Sequence, residues 1–583
     1  MIRRILLVAA AVVAAVSTMT HWSLLLVAVA LYASTLLIGL RGTVVRRSGD
    51  SDQTGAAIVL SVATGIVVLH AGADNQSLLL VTVLLAVLHT VHLLRHVLRV
   101  LVYRRWRTAA DWRNLAVATP VPRRVVRVAG PTLVPIPVWI LAPICAVYDA
   151  DRIVYVLLCI LCLALAAITL VPVADALLRN LRMPAEQHRL DALTAALREL
   201  DPEILVHFNA RARSAYALGD WMSVLAEVNS RHRVVILTVD REPWHFDTVA
   251  GRDIPMMHLN GAEAIEYVVE RVPSLVLALY PRNTSPNKNL LRVPGLYDAY
   301  IGNGESDEAE AVNPATRAFD EIWIAGEAAR SRYLDANVGV QPDQLRVTGR
   351  PQLSQLLELA AIPKPDGRKS IVYAPTWEGY YADDGYGSVV EFGEQVIDAV
   401  LGLENVSVTY LPHPALGTLN PLFAEANDRI VTRVRRAHAL VVVGGSLEER
   451  FAALATADLL IADVGTDLVD YLRLDRPYIA LNVGTIDSGG LAQSDTEFAK
   501  SNPSAGAGIV VGAESIDTLG AVVARALDTD DRATRRVELA NRYLGDPARP
   551  PLDRFLGEVD ACLDHIHATR PARELPVESE APQ

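Results

Sequence analysis

The hydrophobic positions follow one pattern in residues 1–182 and another from about residue 185 onwards. The first part consists of long, nearly continuous apolar runs, whereas the second alternates short β-branched runs with stretches of helical periodicity. An apolar run of about 20 residues is the length that a helix needs to cross the hydrocarbon core of a membrane. Short strands that alternate with amphipathic helices predict parallel sheets with helices on both faces. We therefore expect an α-helical membrane part followed by an α/β part.

Six apolar segments are candidate membrane spans: 5–20, 23–40, 56–73, 77–94, 132–149 and 153–178. Arginines cluster in every second loop, with nine of them in the loop 95–131, while the alternate loops together contain a single arginine. Because positively charged loops stay in the cytoplasm, we expect a multi-pass protein of the cell membrane with everything after residue 182 on the cytoplasmic side. The few ionisable residues of the spans lie near span ends, which favours an anchor over a transport pathway.

The loop 95–131 interleaves its arginines with Trp106 and Trp112. Arginine beside interfacial tryptophan suits contact with anionic lipid headgroups. Two interpretations remain open: the arginines only fix the orientation in the membrane, or the loop also holds a lipid-linked acceptor.

The α/β part contains two series of candidate strands, separated by the Pro-, Gly- and Lys-rich stretch 361–369. The predicted strands are Ile204–Phe208, Val234–Val239, Leu275–Tyr280, Ala299–Ile301, Glu321–Ala325 and Arg346–Gly349, then Ser370–Ala374, Val406–Leu411, Ala439–Val443, Leu459–Asp463 and Tyr478–Leu481. This pattern predicts two doubly wound, Rossmann-like domains, at 183–360 and 366–568, after a membrane anchor at 1–182. The Glu- and Pro-rich tail 569–583 is predicted to be disordered.

Charge and cysteine content narrow the possible functions. Residues 1–182 hold 17 Arg against 7 Asp, whereas the remainder holds 37 Lys plus Arg against 59 Asp plus Glu. An acidic domain without a basic stripe argues against nucleic-acid binding. Four scattered cysteines provide neither a disulfide framework nor a zinc site. The chain also lacks a GxGxxG after its first α/β strand and a GxxxxGK[ST], so a dinucleotide fingerprint and a P-loop are absent.

Polar groups follow three predicted strands of the second domain, where ligands of open α/β sheets bind. Thr376 ends the stretch "VYAPT", and His413 stands between two prolines that restrict its backbone. His413 is as compatible with a structural role as with a functional one. After Asp463, a Gly465–Thr466 turn precedes a predicted helix that has Asp467 in its first turn. Backbone amides and a hydroxyl at a helix start bind phosphate, although Thr466 would equally serve as a simple helix cap.

Together these stretches resemble the CDP-glycerol glycerophosphotransferases of teichoic-acid synthesis, a membrane-associated family with a two-domain architecture similar to GT-B glycosyltransferases. The stretches that carry the resemblance are Gly349–Pro351, Tyr373–Trp377, His413–Pro414, Asp463–Thr466, Asp470–Leu472 and Arg476–Pro477. The resemblance covers about 320–485 well and 200–320 more loosely. It implies a donor site at Thr376, His413, Asp463, Gly465, Thr466 and Asp467, and it implies no required metal or cofactor.

The sequence departs from the family in the first domain. Family members carry a histidine before a glycine there, which is thought to activate the acceptor hydroxyl, but the matching stretch "YIGNGESDE" has Asn303 at that place. An amide cannot accept a proton at neutral pH, whereas an imidazole can. Either the nearby Glu305 or Asp307 takes over, or the reaction differs, or activity is lost.

The sequence therefore predicts a membrane-bound transferase that moves glycerol phosphate, or a similar polyol phosphate, from a CDP-linked donor to a lipid-linked or polymeric cell-envelope acceptor and releases CMP. Two alternatives stay open. One is a GT-B glycosyltransferase that uses a nucleotide sugar, and the other is a catalytically inactive, nucleotide-binding relative.

Overall fold

The computed structural model describes residues 186–573, apart from 210–215, 240–253, 260, 309–311, 365–367, 380–386 and 484–493, together with 111–113, 115 and scattered residues between 151 and 178. No helix among these residues is both long and apolar enough to cross a membrane. Five of the predicted spans lie outside the described residues, and 153–178 is described only at scattered positions.

The first sheet has eight strands in the described part of the chain, in the order β1-β4-β3-β2-β5-β6-β7-β8. Its strands are β1 (Asp111–Arg113), β2 (Ile204–Phe208), β3 (Val234–Thr238), β4 (Met256–His258), β5 (Leu277–Tyr280), β6 (Tyr297–Tyr300), β7 (Glu321–Ile324) and β8 (Leu345–Val347). All neighbours are parallel except β1, which pairs antiparallel with β4 at the edge of the sheet.

The second sheet is parallel throughout, in the order β11-β10-β9-β12-β13-β14. Its strands are β9 (Lys369–Ala374), β10 (Val406–Tyr410), β11 (Leu440–Val441), β12 (Leu459–Ala462), β13 (Tyr478–Asn482) and β14 (Ile509–Gly512). The helices between and after the strands are α1 (Glu186–Leu200), α2 (Tyr216–Gly219), α3 (Met222–Arg231), α4 (Ala262–Glu270), α5 (Lys288–Leu291), α6 (Glu327–Asp335), α7 (Leu353–Ala360), α8 (Gly393–Leu401), α9 (Pro421–Arg436), α10 (Leu447–Thr456), α11 (Thr466–Tyr471), α12 (Asp495–Ser501), α13 (Leu519–Asp528), α14 (Ala533–Leu544) and α15 (Pro551–Thr569).

Both sheets bury both of their faces. In β2, Ile204 and Val206 enter one apolar core while Leu205 enters the core on the opposite face. In β9, Val372 enters one apolar core and Ile371 enters the core on the opposite face. Because successive side chains of a strand point to opposite faces, a sheet covered on both sides gives short continuous apolar runs, which is the pattern in the sequence. The prediction of two doubly wound parallel sheets is confirmed.

All eleven predicted strands are present, with ends within two residues of the prediction, and the described residues contain three further strands that were not predicted. β1 and β4 have three residues each and contain no β-branched residue. Neither stretch is long enough to display the alternation that identifies a strand. The third, β14, lies beyond the last strand of the predicted series.

β1 corrects the interpretation of Trp112. Its side chain is 3% exposed and packs in a core of the first sheet with Leu197 and Met257. Trp112 therefore supports the sheet from inside and does not face lipid. Trp106 and the rest of the loop 95–131, apart from 111–113 and 115, lie outside the described residues.

The long helix α15 falls in the range 366–568 that the sequence analysis gave to the second domain, yet it packs on the first sheet. Phe555, Val559 and Leu563 join the same core as Ile204. The ring of Phe555 lies 5.4 Å, centroid to centroid, from each of Trp221 and Trp323.

The first residues of the tail predicted to be disordered are ordered in the structure. Arg570 donates to the carbonyl of Leu296 at 2.6 Å, and Arg573 donates to the carbonyl of Leu275 at 2.6 Å. The prediction of disorder is therefore wrong for these residues, because two arginines pair with carbonyl groups at helix and loop ends. Residues 574–583 lie outside the described residues.

If α15 belongs to the first sheet's core, Phe555→Ala should lower the free energy of unfolding by about 3–5 kcal/mol, because a large aromatic side chain leaves a cavity. Urea unfolding followed by tryptophan fluorescence measures the change, since Trp221 and Trp323 contact this ring. The control is Val537→Ala at a position 44% exposed, where a change within about 0.5 kcal/mol is expected. Equal effects of the two changes would contradict this packing.

Candidate active site

The carboxyl ends of strands from both sheets meet at one cavity of about 570 Å³. The first sheet contributes the segments after β6, β7 and β8, and the second contributes Trp377, His413, Ala415 and Thr466. A smaller recess of about 60 Å³ adjoins it and shares Asn303, His413 and Thr466 with it. Ligands of open α/β sheets bind at this end of the strands, so the cavity and recess form the candidate active site.

Two buried ion pairs cross from one sheet to the other beside the recess. Arg450 on α10 donates to Asp220, just before α3, at 2.7 Å. Arg350, just after β8, donates through two nitrogens to both carboxylate oxygens of Asp470 on α11, with one distance of 2.7 Å. All four side chains are at most 8% exposed. These buried pairs, of which Arg350–Asp470 is bidentate, hold the two halves of the cleft in a defined relation.

The loop after β6 packs against the second sheet. A Cβ at Gly304 would stand 2.3 Å from the Thr466 hydroxyl oxygen, so any larger residue here would displace the Thr466 side chain. Further along, Asp307 accepts hydrogen bonds from the Tyr543 hydroxyl at 2.6 Å and from the Ser504 amide at 2.8 Å. The loop that carries Asn303 is thereby fixed against the phosphate-turn candidate.

His413 is held as a neutral imidazole. Its Nδ1 accepts from the Ala415 amide at 3.1 Å, which leaves the proton on Nε2. Burial, together with the cations Arg450 and Arg282, lowers the pKa of His413 to about 3. The ring lies edge-on to Tyr216 and stacks on Trp377, with centroids 5.4 Å and 6.2 Å away. At physiological pH His413 therefore acts as an uncharged hydrogen-bond donor.

Asp463 organises the turn that the sequence analysis identified. Its Oδ2 accepts from the backbone amides of Thr376 and Ser388, each at 2.9 Å, while Oδ1 is buried without a hydrogen-bond partner among the described residues. Burial raises the pKa of Asp463 to about 7, although both amides favour the charged form. Asp463 thus ties the ends of β9 and β12 together.

The helix after Asp463 begins one residue earlier than it would if Thr466 were its cap. Gly465 is the residue before α11, and Thr466 is the first helical residue, so the Thr466 hydroxyl does not cap the helix. It faces the cavity and the recess instead. Asp467 follows in the first turn and lines the recess, where burial raises its pKa to about 6.

Asn303, Glu305 and Asp307, the candidate catalytic residues of the first domain, differ in whether they line the cavity. Asn303 lines both the cavity and the recess. Glu305 lines the cavity, but its carboxylate is paired with Arg332 on α6. Asp307 is not among the lining residues of either space, and its side chain is 3% exposed and also pairs with Arg332.

Sequence reasoning missed the cations of the site and one carboxylate. Arg350 was seen only as part of a turn, and Arg450 gave no signal because its partner Asp220 is 230 residues away. The Nη1 of Arg450 is buried with no hydrogen-bond partner among the described residues, at the wall of the recess. Glu308 lines both spaces and accepts from the Thr376 hydroxyl at 3.3 Å.

Donors and carboxylates both line the recess. His413, Thr466 and Arg450 offer an imidazole N–H, a hydroxyl and a guanidinium, and the carboxylates in the lining are Asp220, Glu308, Asp463 and Asp467. Asp220 is already paired with Arg450, and Asp463 already accepts two backbone amides. Charge-assisted and neutral donors converging on one point are the usual means of binding phosphate. Within the described residues no group of histidine, cysteine and carboxylate side chains could hold a metal ion.

Residues 324–483 match the model of a protein family described as CDP-Glycerol:Poly(glycerophosphate) glycerophosphotransferase. The match begins at the last residue of β7 and ends just after β13, so it includes Arg350, Thr376, His413 and Thr466. This segment of the chain therefore resembles a family of glycerophosphotransferase enzymes, as its motifs predicted.

Several solved structures are similar in fold. The wall teichoic acid polymerase TagF has 12% identity and a TM-score of 0.41, with 66% of this chain and 94% of that chain covered. A glycosyltransferase from Rickettsia africae ESF-5 has 11% identity and a TM-score of 0.41, with 63% and 99% covered. A UDP-N-acetylglucosamine 2-epimerase has 13% identity and a TM-score of 0.40, with 64% and 99% covered. No curated protein matches the chain.

If the ion pairs hold the cleft together, Asp220→Asn should lower the free energy of unfolding by about 3–5 kcal/mol, because the Arg450 charge stays buried without its carboxylate. Urea titration of the purified protein measures this change. The matched control is Glu538→Gln, which breaks the exposed pair with Arg535, and a loss of about 1 kcal/mol or less is expected there. A loss in Asp220→Asn no larger than in the control would contradict the role of the buried pair.

Proposed function

We propose that this enzyme transfers glycerol phosphate, or a similar polyol phosphate, from a CDP-linked donor to a hydroxyl of a lipid-linked or polymeric cell-envelope acceptor. The observation that carries the proposal is that His413, Thr466 and Arg450 all line the recess, where the carboxyl ends of strands from both sheets meet. The donor pyrophosphate would occupy this recess, and the acceptor would enter through the larger cavity on the side of the first sheet.

The reaction is an in-line displacement at phosphorus. The acceptor oxygen attacks the β-phosphorus of the donor, the bond from that phosphorus to the bridging oxygen breaks, and CMP leaves with the electron pair. Catalysis by positioning and by stabilisation of the developing charge is the usual means of accelerating phosphoryl transfer. Arg450 and the Nε2 proton of His413 would stabilise the negative charge on the leaving CMP.

A nucleotide-sugar donor is the alternative within the same cleft, because the contacts around the recess suit a pyrophosphate in either kind of donor. The family match favours the CDP-linked polyol phosphate, since it spans Arg350 and the second-domain residues that line the recess. A binding protein without activity is the other alternative, and Asn303 is the observation that favours it.

We further propose that the α/β part lies on the cytoplasmic side of the cell membrane, where CDP-linked donors are made. The arginine asymmetry of the loops supports this orientation. β1 adds a second argument, because it belongs to the loop 95–131 and is hydrogen-bonded to β4. Residues of that loop and the α/β part must therefore be on the same side of any membrane that the chain crosses.

The proposed donor can be identified by thermal shift with CDP-glycerol, CDP-ribitol, UDP-sugars and GDP-sugars, followed by a CMP-release assay with membranes as the source of acceptor. A ligand present at about 100 times its Kd should stabilise the protein by about 2.7 kcal/mol. We expect CDP-glycerol or CDP-ribitol to stabilise the protein and CMP to be released only when acceptor is present. Stabilisation by a nucleotide sugar alone would favour the glycosyltransferase, and donor binding with background CMP release would favour the inactive relative.

A reporter fused after Arg182 tests the orientation. We expect signal from a reporter that is active in the cytoplasm and none from one that is active outside. The matched control is a fusion after Gln76, which the arginine pattern places on the outer side and which should give the opposite result. An external signal after Arg182 would contradict the proposed orientation and the access to a cytoplasmic donor.

A further inference from the structure

The wall of the larger cavity contains two side-chain amide groups with unpaired buried atoms. Gln352, which follows β8, is 2% exposed, and neither its Oε1 nor its Nε2 has a hydrogen-bond partner among the described residues. Asn283, which follows β5, has a buried Nδ2 that is unpaired in the same part of the chain. Both residues line the cavity, and neither is among the lining residues of the recess. They therefore belong to the side of the site that is proposed to receive the acceptor.

An unpaired buried amide is unfavourable, and most buried polar side chains of folded proteins are hydrogen-bonded. Gln344, just before β8, shows the usual arrangement. Its Nε2 donates to the carbonyl of Phe319 at 2.7 Å, and its Oε1 accepts from the backbone amide of Gln341 at 2.9 Å. Gln352 has no such contacts within the described residues, so the partner that its amide lacks can come from a molecule in the cavity that it lines.

The amide of Gln352 restricts the chemistry of that molecule. Its Oε1 can only accept a hydrogen bond and its Nε2 can only donate one, so a group that pairs with both must donate as well as accept. An ionised phosphate only accepts, whereas hydroxyl groups do both. Two cations of the cavity wall are already engaged, since Arg332 pairs with Glu305 and Arg350 pairs with Asp470. These contacts favour a neutral group that carries neighbouring hydroxyls.

We propose that Gln352 positions the acceptor by binding two neighbouring hydroxyls of its terminal polyol or sugar unit, which rests on the proposed function. Oε1 accepts from one hydroxyl, and Nε2 donates to the next. Asn283 donates through Nδ2 to the same unit from the other side of the cavity. The unit is then held with a further hydroxyl directed towards the donor phosphorus. Gln352 forms and breaks no covalent bond, so it is a positioning residue.

Gln352→Met provides the test, because methionine is an unbranched side chain of similar length that has no amide. Removing an unpaired buried amide should leave the midpoint of urea unfolding of the ligand-free protein unchanged or raise it. In the CMP-release assay with membranes as the source of acceptor, kcat/KM for the acceptor should fall about 5- to 100-fold, as expected for the loss of two neutral hydrogen bonds. The Kd for CDP-glycerol should be unchanged. A glutamine with a purely structural role would not give equal or higher stability together with weaker use of the acceptor.

Gln344→Met is the matched control, because it removes an amide that is paired within the protein. It should lower the midpoint of urea unfolding and leave kcat/KM for the acceptor as in the wild type. A Gln352→Met protein that is destabilised as much as Gln344→Met would overturn the proposal, since the amide would then have a partner inside the protein. Unchanged use of the acceptor by Gln352→Met would also overturn it. A wild-type protein that binds no CDP-linked donor and releases no CMP would instead overturn the proposed function, and the urea midpoints would still show whether the Gln352 amide is unpaired.

Discussion

Arg350 and Arg450 each bury a guanidinium group between the two sheets, and each finds its carboxylate on the opposite side of the cleft. A buried charge costs several kcal/mol when it has no partner. Both pairs form in the placement that brings the loop after β6 against Thr466, and Asp220, Arg350 and Arg450 themselves line the recess. The geometry of the candidate site therefore depends on these two pairs.

Much of this architecture could be predicted because short stretches of the sequence identify the strands and their ends. Strands buried on both faces give short apolar runs, and the carboxyl ends of parallel strands share one edge, so Thr376, His413 and Thr466 could be expected to lie together. The buried pairs could not be predicted, since Asp220 and Arg450 are far apart in sequence and neither lies in a distinctive motif. The pairing of Glu305 with Arg332 could not be predicted either, since the two residues lie 27 positions apart.

The two sides of the cleft differ in how far their sequences match the family model. The matched segment 324–483 contains Arg350 and the residues proposed to bind the donor, whereas Asn303 lies before it. A site in which the donor half is retained and the acceptor half is altered would keep the leaving group and change the way in which the attacking hydroxyl is activated. This division is consistent with the same nucleotide chemistry directed at a different acceptor.

The first sheet is completed by parts of the chain that are distant from it in sequence. Its edge strand β1 precedes the rest of the domain, and α15, which covers one face, comes after the entire second sheet. Contacts between residues that are far apart in the sequence form late in folding, because bringing such residues together costs the conformational entropy of the long chain between them. During synthesis the first sheet would therefore emerge with an apolar face uncovered, and its core could close only after the second sheet had left the ribosome.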